Sequence, residues 1–315
     1  MKPIFGLLLS CAVVIGCLAK RPQTQTLERG PDNATLVLAK NEHQPAAIDV
    51  DEKSVYWIAE DRSAIHKVNK AGGAITTVVD DQAGIRRMIV DKDLIYFLTN
   101  KEIRLVPATG GKAMTLVVFA DLGAGESLYW YLALDTNNVY FVGGPENKQQ
   151  IMKVGKAGGK PVALATVNLP SGLASDGVNV YWTDYLEETI KRVPITGGEP
   201  ATVGDCEKPG SGGLAVDSTS VYCTSAEGKV LRFARSNGAV TTIANVENAA
   251  FDQILIDERS VYALSVIQGI YRIDKRGESA VRLVPLDRVS ANFAIDEQNL
   301  YWSNYDEGTV NRRRK

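Results

Sequence analysis

Three observations predict an all-β protein, a seven-bladed β-propeller of four-stranded antiparallel blades: one pattern recurs seven times, its period is about 41 residues, and the last copy stops one strand short. Each copy starts as an apolar run ending in Asp, followed by three turn residues, an aliphatic and a tyrosine. The copies are VDEKSVYW (50–57), VDKDLIYF (90–97), LDTNNVYF (134–141), SDGVNVYW (175–182), VDSTSVYC (216–223), IDERSVYA (256–263) and IDEQNLYW (295–302). Their Asp residues are spaced 40, 44, 41, 41, 40 and 39 apart, the length of one blade.

The chain opens with a segment that does not belong to this ring. Met1 and Lys2 make a short positive start, and Ile4–Gly16 is an apolar run of secretory-signal length. It ends in VIGC, which resembles the lipobox of bacterial lipoproteins; that resemblance implies removal of residues 1–16 and lipidation of Cys17. LLSC at 8–11 is a poorer match, and an ordinary signal peptide or an uncleaved anchor is the alternative. Leu18 after the cysteine implies outer-membrane sorting in such lipoproteins. Acyl chains at roughly 0.8 kcal/mol per buried methylene make the only membrane attachment expected, because beyond residue 17 no apolar run approaches the roughly 20 residues of a spanning helix. Residues 17–33 are polar, with two prolines, and read as a flexible tether.

The propeller is expected over 34–315. ATLVL (34–38) has the spacing of an outer strand but no inner strands before it, while the last copy, ending GTVNRRRK, has three strands and no fourth. Pairing these ends closes the ring and removes its open edges. Within each copy an Asp turn follows the inner strand, an aliphatic and basic strand comes next, and a glycine turn leads to the outer strand. IHKVNKAGGAITTV, IMKVGKAGGKPVAL and IKRVPITGGEPATV carry paired glycines, which permit positive φ in a tight hairpin. The seven repeated tyrosines are expected to fill gaps between blades, with the hydroxyl at the edge. The seven Asp residues are expected to accept backbone N–H bonds in the turn; calcium at these turns is disfavoured because no second carboxylate recurs.

VYWTDYLEETIKRV (180–193) closely resembles a YWTD repeat of the low-density-lipoprotein receptor class B type, and YWSNYDEGTVNR (301–312) resembles it more loosely; propeller repeats of the NHL kind are also similar. The resemblance implies that Tyr181, Trp182, Thr183 and Asp184 are scaffold. That family is six-bladed and flanked by cysteine-rich modules, so its receptor function is not implied here.

Charge and composition narrow the activity. Lys and Arg number 35 against 37 Asp and Glu, too balanced for a nucleic-acid binder. Only His43 and His66 are present, His66 at a strand position expected to face solvent. Propellers that act as antibiotic-inactivating or amidating lyases rely on histidines, so this chain resembles them in architecture and departs where their chemistry lies. No catalytic residue, metal ligand or cofactor motif is assigned. Cys206 and Cys223 are candidates for a structural disulfide that closes a loop of about 17 residues, with two separate thiols as the alternative.

Function is expected where the blades differ. The long connection FADLGAGESLYWY (119–131) offers Phe119, Tyr129, Trp130 and Tyr131 as aromatic anchors, or as core filling. Arg86, Arg87, Gln253 and Asn292 are read as standing immediately before inner strands, with Asp252 beside them, and are expected to rim the channel mouth. The acidic pairs Glu60–Asp61, Glu187–Glu188 and Asp306–Glu307 lie in neighbouring loops and read as solvated surface. The sequence expectation is therefore a lipid-anchored, monomeric, non-enzymatic module of a bacterial envelope, in periplasm or at the surface. It would bind a protein or small-molecule ligand through its channel-face loops. The alternatives are a metal-assisted hydrolase or lyase with carboxylates at that mouth, and a structural subunit of an outer-membrane assembly.

Overall fold

Seven four-stranded antiparallel sheets form a ring in a computed structural model that describes residues 34–123, 129–145, 147–286 and 291–315. Residues 1–33, where a signal peptide, a lipidated Cys17 and a tether are expected, lie outside the described residues. The innermost strands of blades 1 to 7 are Ala46–Val50, Arg87–Asp91, Leu132–Leu134, Pro170–Ser175, Pro209–Val216, Phe251–Ile256 and Ala291–Ile295. Blades 1 to 6 run consecutively from inner to outer strand. Blade 7 takes its outer strand from the other end of the chain: Leu36–Ala39 pairs antiparallel with Thr309–Arg314, Leu36 opposite Arg312 and Ala39 opposite Val310. The closing strand begins two residues later than the sequence suggests. Its last two residues, Leu38 and Ala39, are buried against blade 1.

The tyrosine and its successor explain why the blades stack. Adjacent strand residues point to opposite faces, so Tyr181 packs toward blade 5 while Trp182 packs toward blade 3. The same division holds around the ring. Tyr56 faces Phe97, Tyr96 faces Phe141, Tyr140 faces Trp182, Tyr262 faces Trp302 and Tyr301 faces Trp57. Each aromatic removes about 150–250 Å² from water, worth several kcal/mol at about 25 cal/mol per Å². Blades 5 and 6 carry the small Cys223 and Ala263 at the successor position. Phe233 fills the first gap, so close to Gly204 that an added Cβ would lie 2.6 Å from its ring. Phe251 and Tyr271, edge to face at 5.7 Å, fill the second.

The repeated Asp ties three things together. In blade 7 the Oδ1 of Asp296 accepts backbone N–H bonds from Gln298 and Asn299, while its Oδ2 accepts the Tyr301 hydroxyl at 2.7 Å. Lys70 of the next blade then donates to the same Oδ2 at 2.7 Å, its ammonium 5.5 Å from the Tyr301 ring centroid. Asp217 with Lys275, and Asp257 with Lys315, repeat this clasp; Arg235 takes the cation's place against Asp176. Where the next blade has Ala108 or Ile195 at that position, Lys67 and Lys153 reach across and donate to the backbone carbonyl there. The expected Asp turn is altered in blade 2: Asp91 pairs with Leu94 across a two-residue turn with Lys92 at φ 55°, and its carboxylate goes to Lys156 at 2.5 Å.

The YWTD stretch works as scaffold. Tyr181 donates to Asp176 at 3.0 Å, Thr183 shares a hydrogen bond with Ser171 at 2.9 Å, and Asp184 accepts the backbone N–H groups of Leu186 and Glu187. Cys206 and Cys223 are joined as a disulfide with Cα atoms 6.4 Å apart, both buried. His66 differs from expectation: it is buried opposite Trp57, and Glu42 Oε2 receives both His66 Nδ1 (2.8 Å) and the Trp57 indole N–H (2.9 Å). The carboxylate comes from the connection after the closing strand, which a strand-by-strand reading of faces does not include.

Candidate ligand-binding mouth

Residues separated by two hundred positions in sequence meet at one end of the central channel. Arg86, Arg87, Tyr129, Trp130 and Tyr131 from the blade 2 and 3 side face Asp252, Gln253 and Asn292 from blades 6 and 7 across a cavity of about 410 Å³. That volume lies within the usual range for small-molecule sites, about 300–1,000 Å³. Ser211 and Gly212 of blade 5 and Leu264 and Val266 of blade 6 complete the lining. An adjoining cavity of about 270 Å³ has Leu132, Leu173, Leu214 and Ile254 in its wall; Arg87 and Tyr131 line both cavities and mark the boundary.

The polar groups of the mouth differ in how far they are committed. Arg86 donates through Nε to Asn100 at 2.8 Å and lays its guanidinium 4.7 Å from the ring centroid of Trp130, a cation–π pair on an indole that is still 45% exposed. Tyr131 shares a hydrogen bond with Ser211 at 3.2 Å, and Tyr129 donates to the Asn168 carbonyl at 3.3 Å. Gln253 is structural: its amide donates to the Phe293 carbonyl at 3.1 Å and accepts the Phe293 N–H at 3.2 Å, joining two inner strands. Arg87, the first residue of its inner strand, is closed in by protein except toward the channel. Among the described residues its guanidinium makes no hydrogen bond, and Asp49 and Tyr131 act on it only through space.

Burial sets the titration of these groups. Desolvation lowers the Arg87 pKa, opposed by the field of Asp49. Asp49 itself, on the inner strand of blade 1, is pushed up to about 6 by burial, although the backbone N–H groups of Val90 and Val50 donate to it at 2.8 Å each and Arg87 pulls the other way. Burial also raises Asp252 and Tyr131 above their ordinary values. Among the described residues no three His, Cys, Asp or Glu side chains converge as a cation site would require.

Phe119 is the one proposed anchor that the geometry removes from the mouth. Its ring is fully buried beside Phe141, with centroids 6.0 Å apart, because Phe119–Leu122 form a short 3-10 turn that folds it into the blade 2–3 interface. Other acidic loop residues are engaged elsewhere: Asp61 meets His43 at 3.2 Å on the surface, and Glu187 pairs with Lys191 at 2.7 Å. Sequence reading did not single out Asp49, Ser211 or Gly212. The visible signal for the last two was PGSGG (209–213), whose glycines let blade 5 approach blade 6 closely. A Cβ on Gly210 would fall 1.9 Å from the Phe251 carbonyl oxygen.

No known protein family and no curated protein matches the chain by sequence. Its fold is similar to that of a catalytically inactive, histidine-to-alanine virginiamycin B lyase from Staphylococcus aureus, solved with quinupristin, at 16% identity over 89% of this chain and 97% of that one, TM-score 0.69. The WD40 β-propeller domain of Doa1 is similar at 14% identity, 89% and 96% coverage and TM-score 0.63. A chain of a nidogen/laminin complex is similar at 16% identity, 70% and 90% coverage and TM-score 0.50. At these identities the likeness is one of fold.

Proposed function

We propose that the propeller is a non-enzymatic binding module, held by a lipidated Cys17 in a bacterial cell envelope, which takes a ligand or protein partner at the channel mouth. The observation that carries the reading is the convergence of Arg86, Arg87, Tyr129, Trp130, Tyr131 and Asp252 on one cavity, with a half-exposed indole at its rim. Aromatic and arginine side chains around a concave site are the groups that supply most binding energy in recognition surfaces. The histidines add no competing chemistry: His66 is held in the core by Glu42 and His43 lies on the surface with Asp61. Structures of similar fold include a chain of a nidogen/laminin complex and a lyase solved with quinupristin, consistent with one scaffold carrying many sites. We further read the repeats as YWTD-type, the chain as a monomer, and the tether as the spacer that holds the body off an outer membrane.

The test is affinity capture from envelope extract with the wild-type chain and a Trp130→Ala variant. Loss of a specific bound species in the variant supports the reading; identical capture by both removes the mouth from it. One observation favours a second reading, an acid-base hydrolase or lyase: Asp252 sits in the mouth with a carboxyl raised by burial. Turnover of the captured species by the wild type that is lost in an Asp252→Asn variant still able to bind it would favour the enzyme, since the binding module predicts no turnover by either protein.

A further inference from the structure

Arg87 is the charged group of the mouth whose donors no neighbour among the described residues uses. Arg86 is committed to Asn100 and Trp130, Gln253 to the Phe293 backbone, and Tyr131 to Ser211. Asp49, the nearest acid to act on Arg87, spends its oxygens on the Val50 and Val90 N–H groups. Arg87 lines both cavities, and a guanidinium carries a planar fork of donors that matches a carboxylate with two parallel hydrogen bonds. Tyr131 and the Arg86–Trp130 pair line the same cavity, and aliphatic residues make up most of the wall of the adjoining one. Asp252 faces the same cavity and disfavours a second negative charge.

We propose that the mouth selects a small monocarboxylate carried on an aromatic body, its carboxylate on Arg87 and its ring against Trp130 and Tyr131. This rests on the reading of the mouth as a binding site and adds the chemical class of the ligand. Arg87 is the residue that sets charge specificity, and Trp130 the residue that favours a flat, apolar body.

Titration calorimetry of the full chain with benzoate and naphthoate, each against its primary amide, tests it, with phthalate and phenyl phosphate as dianions. The proposal expects naphthoate to bind more tightly than benzoate. It expects each amide to bind about tenfold or more weakly than its acid, the loss of a charge-assisted hydrogen-bonded pair, and both dianions to bind more weakly than benzoate. Arg87→Gln should abolish the preference for acid over amide, and Arg87→Lys, which keeps the charge without the fork, should reduce it. A thermal melt by circular dichroism confirms folding, and should Arg87→Gln not fold, Arg87→Lys carries the comparison. Equal affinity for acid and amide, an unchanged preference in the folded Arg87 variants, tighter binding of a dianion, or no Trp130-dependent binding of naphthoate overturns the proposal. If acid and amide bind equally and both are lost in Trp130→Ala, only the carboxylate assignment fails; if envelope capture is untouched by Trp130→Ala, the mouth reading itself fails.

Discussion

Asp296 shows why the same acid returns in every copy. Burial alone would raise its pKa, but Lys70, the Tyr301 hydroxyl and the turn N–H groups of Gln298 and Asn299 outweigh burial and hold it at about 2. Asp217 is lowered in the same way, with Lys275 the largest stabilising partner. A carboxylate with a depressed folded pKa contributes stability that is present above its unfolded value, near 4, and is lost as the pH falls toward the folded value. Urea unfolding should therefore show wild-type stability declining between about pH 4 and pH 2. Asp296→Asn should cost about 1.5–3 kcal/mol at pH 7 and flatten that decline; an unchanged slope would show that the clasp does not stabilise the fold. At this scale the repeated Asp and Tyr were legible because seven copies of a residue argue for scaffold. Phe119 and His66 were not: the face a side chain takes depends on a local 3-10 turn in one case and on Glu42 from a distant connection in the other. Trp130, by contrast, is exposed and outside the core clusters, so Trp130→Ala should change stability by no more than about 0.5 kcal/mol while removing the binding surface. A larger loss in a thermal melt would mark it as core.

Among the elements, the inner strand of blade 5 is the least regular. Between Pro209 and Leu214 its register with the second strand slips; Gly210 lies against the Phe251 backbone of blade 6, and Gly213 lies against Thr224 of the second strand of its own blade. Gly210→Ala would set a methyl group 1.9 Å from the Phe251 carbonyl oxygen, a clash with backbone that no rotamer relieves. The expected cost is about 3 kcal/mol or more, read as a lower urea midpoint, together with a displaced Ser211 and a weakened mouth; a neutral substitution would mean that the blades do not approach so closely. Strand positions were readable from alternation, and the paired-glycine hairpins from their turn chemistry: Gly72, Gly73, Gly197 and Gly198 all take positive φ. The bulge was not readable, since a glycine run in a strand signals close approach without saying to what. The mouth was partly legible for a related reason. Residues near the start of inner strands must lie near the channel in any ring of blades, which located Arg86, Arg87, Asp252, Gln253 and Asn292, although the strands begin earlier than the sequence suggests and take in all but Arg86. Which of them keep free donors depends on partners such as Asn100 and Phe293 that only the folded register brings near.

For the whole molecule, stability comes from seven similar interfaces, and each blade depends on both neighbours. Cys206–Cys223 supports the interface where the successor aromatic is missing; on the chain-entropy view a bridge over about 17 residues is worth around 3 kcal/mol. A double Cys206→Ser, Cys223→Ser variant should unfold at correspondingly lower urea, and an unreduced mass two hydrogens below the free-thiol value would confirm the bond. The ring also explains how positions 86 and 292 come to face one cavity: closure through Leu36–Ala39 fixes blade 7 against blade 1. The most direct test is the melting temperature of a chain lacking residues 34–39. Closure by the N-terminal strand predicts a fall of about 10 °C or more, as expected for several kcal/mol lost from a domain of this size, whereas melting like the full-length chain would contradict it.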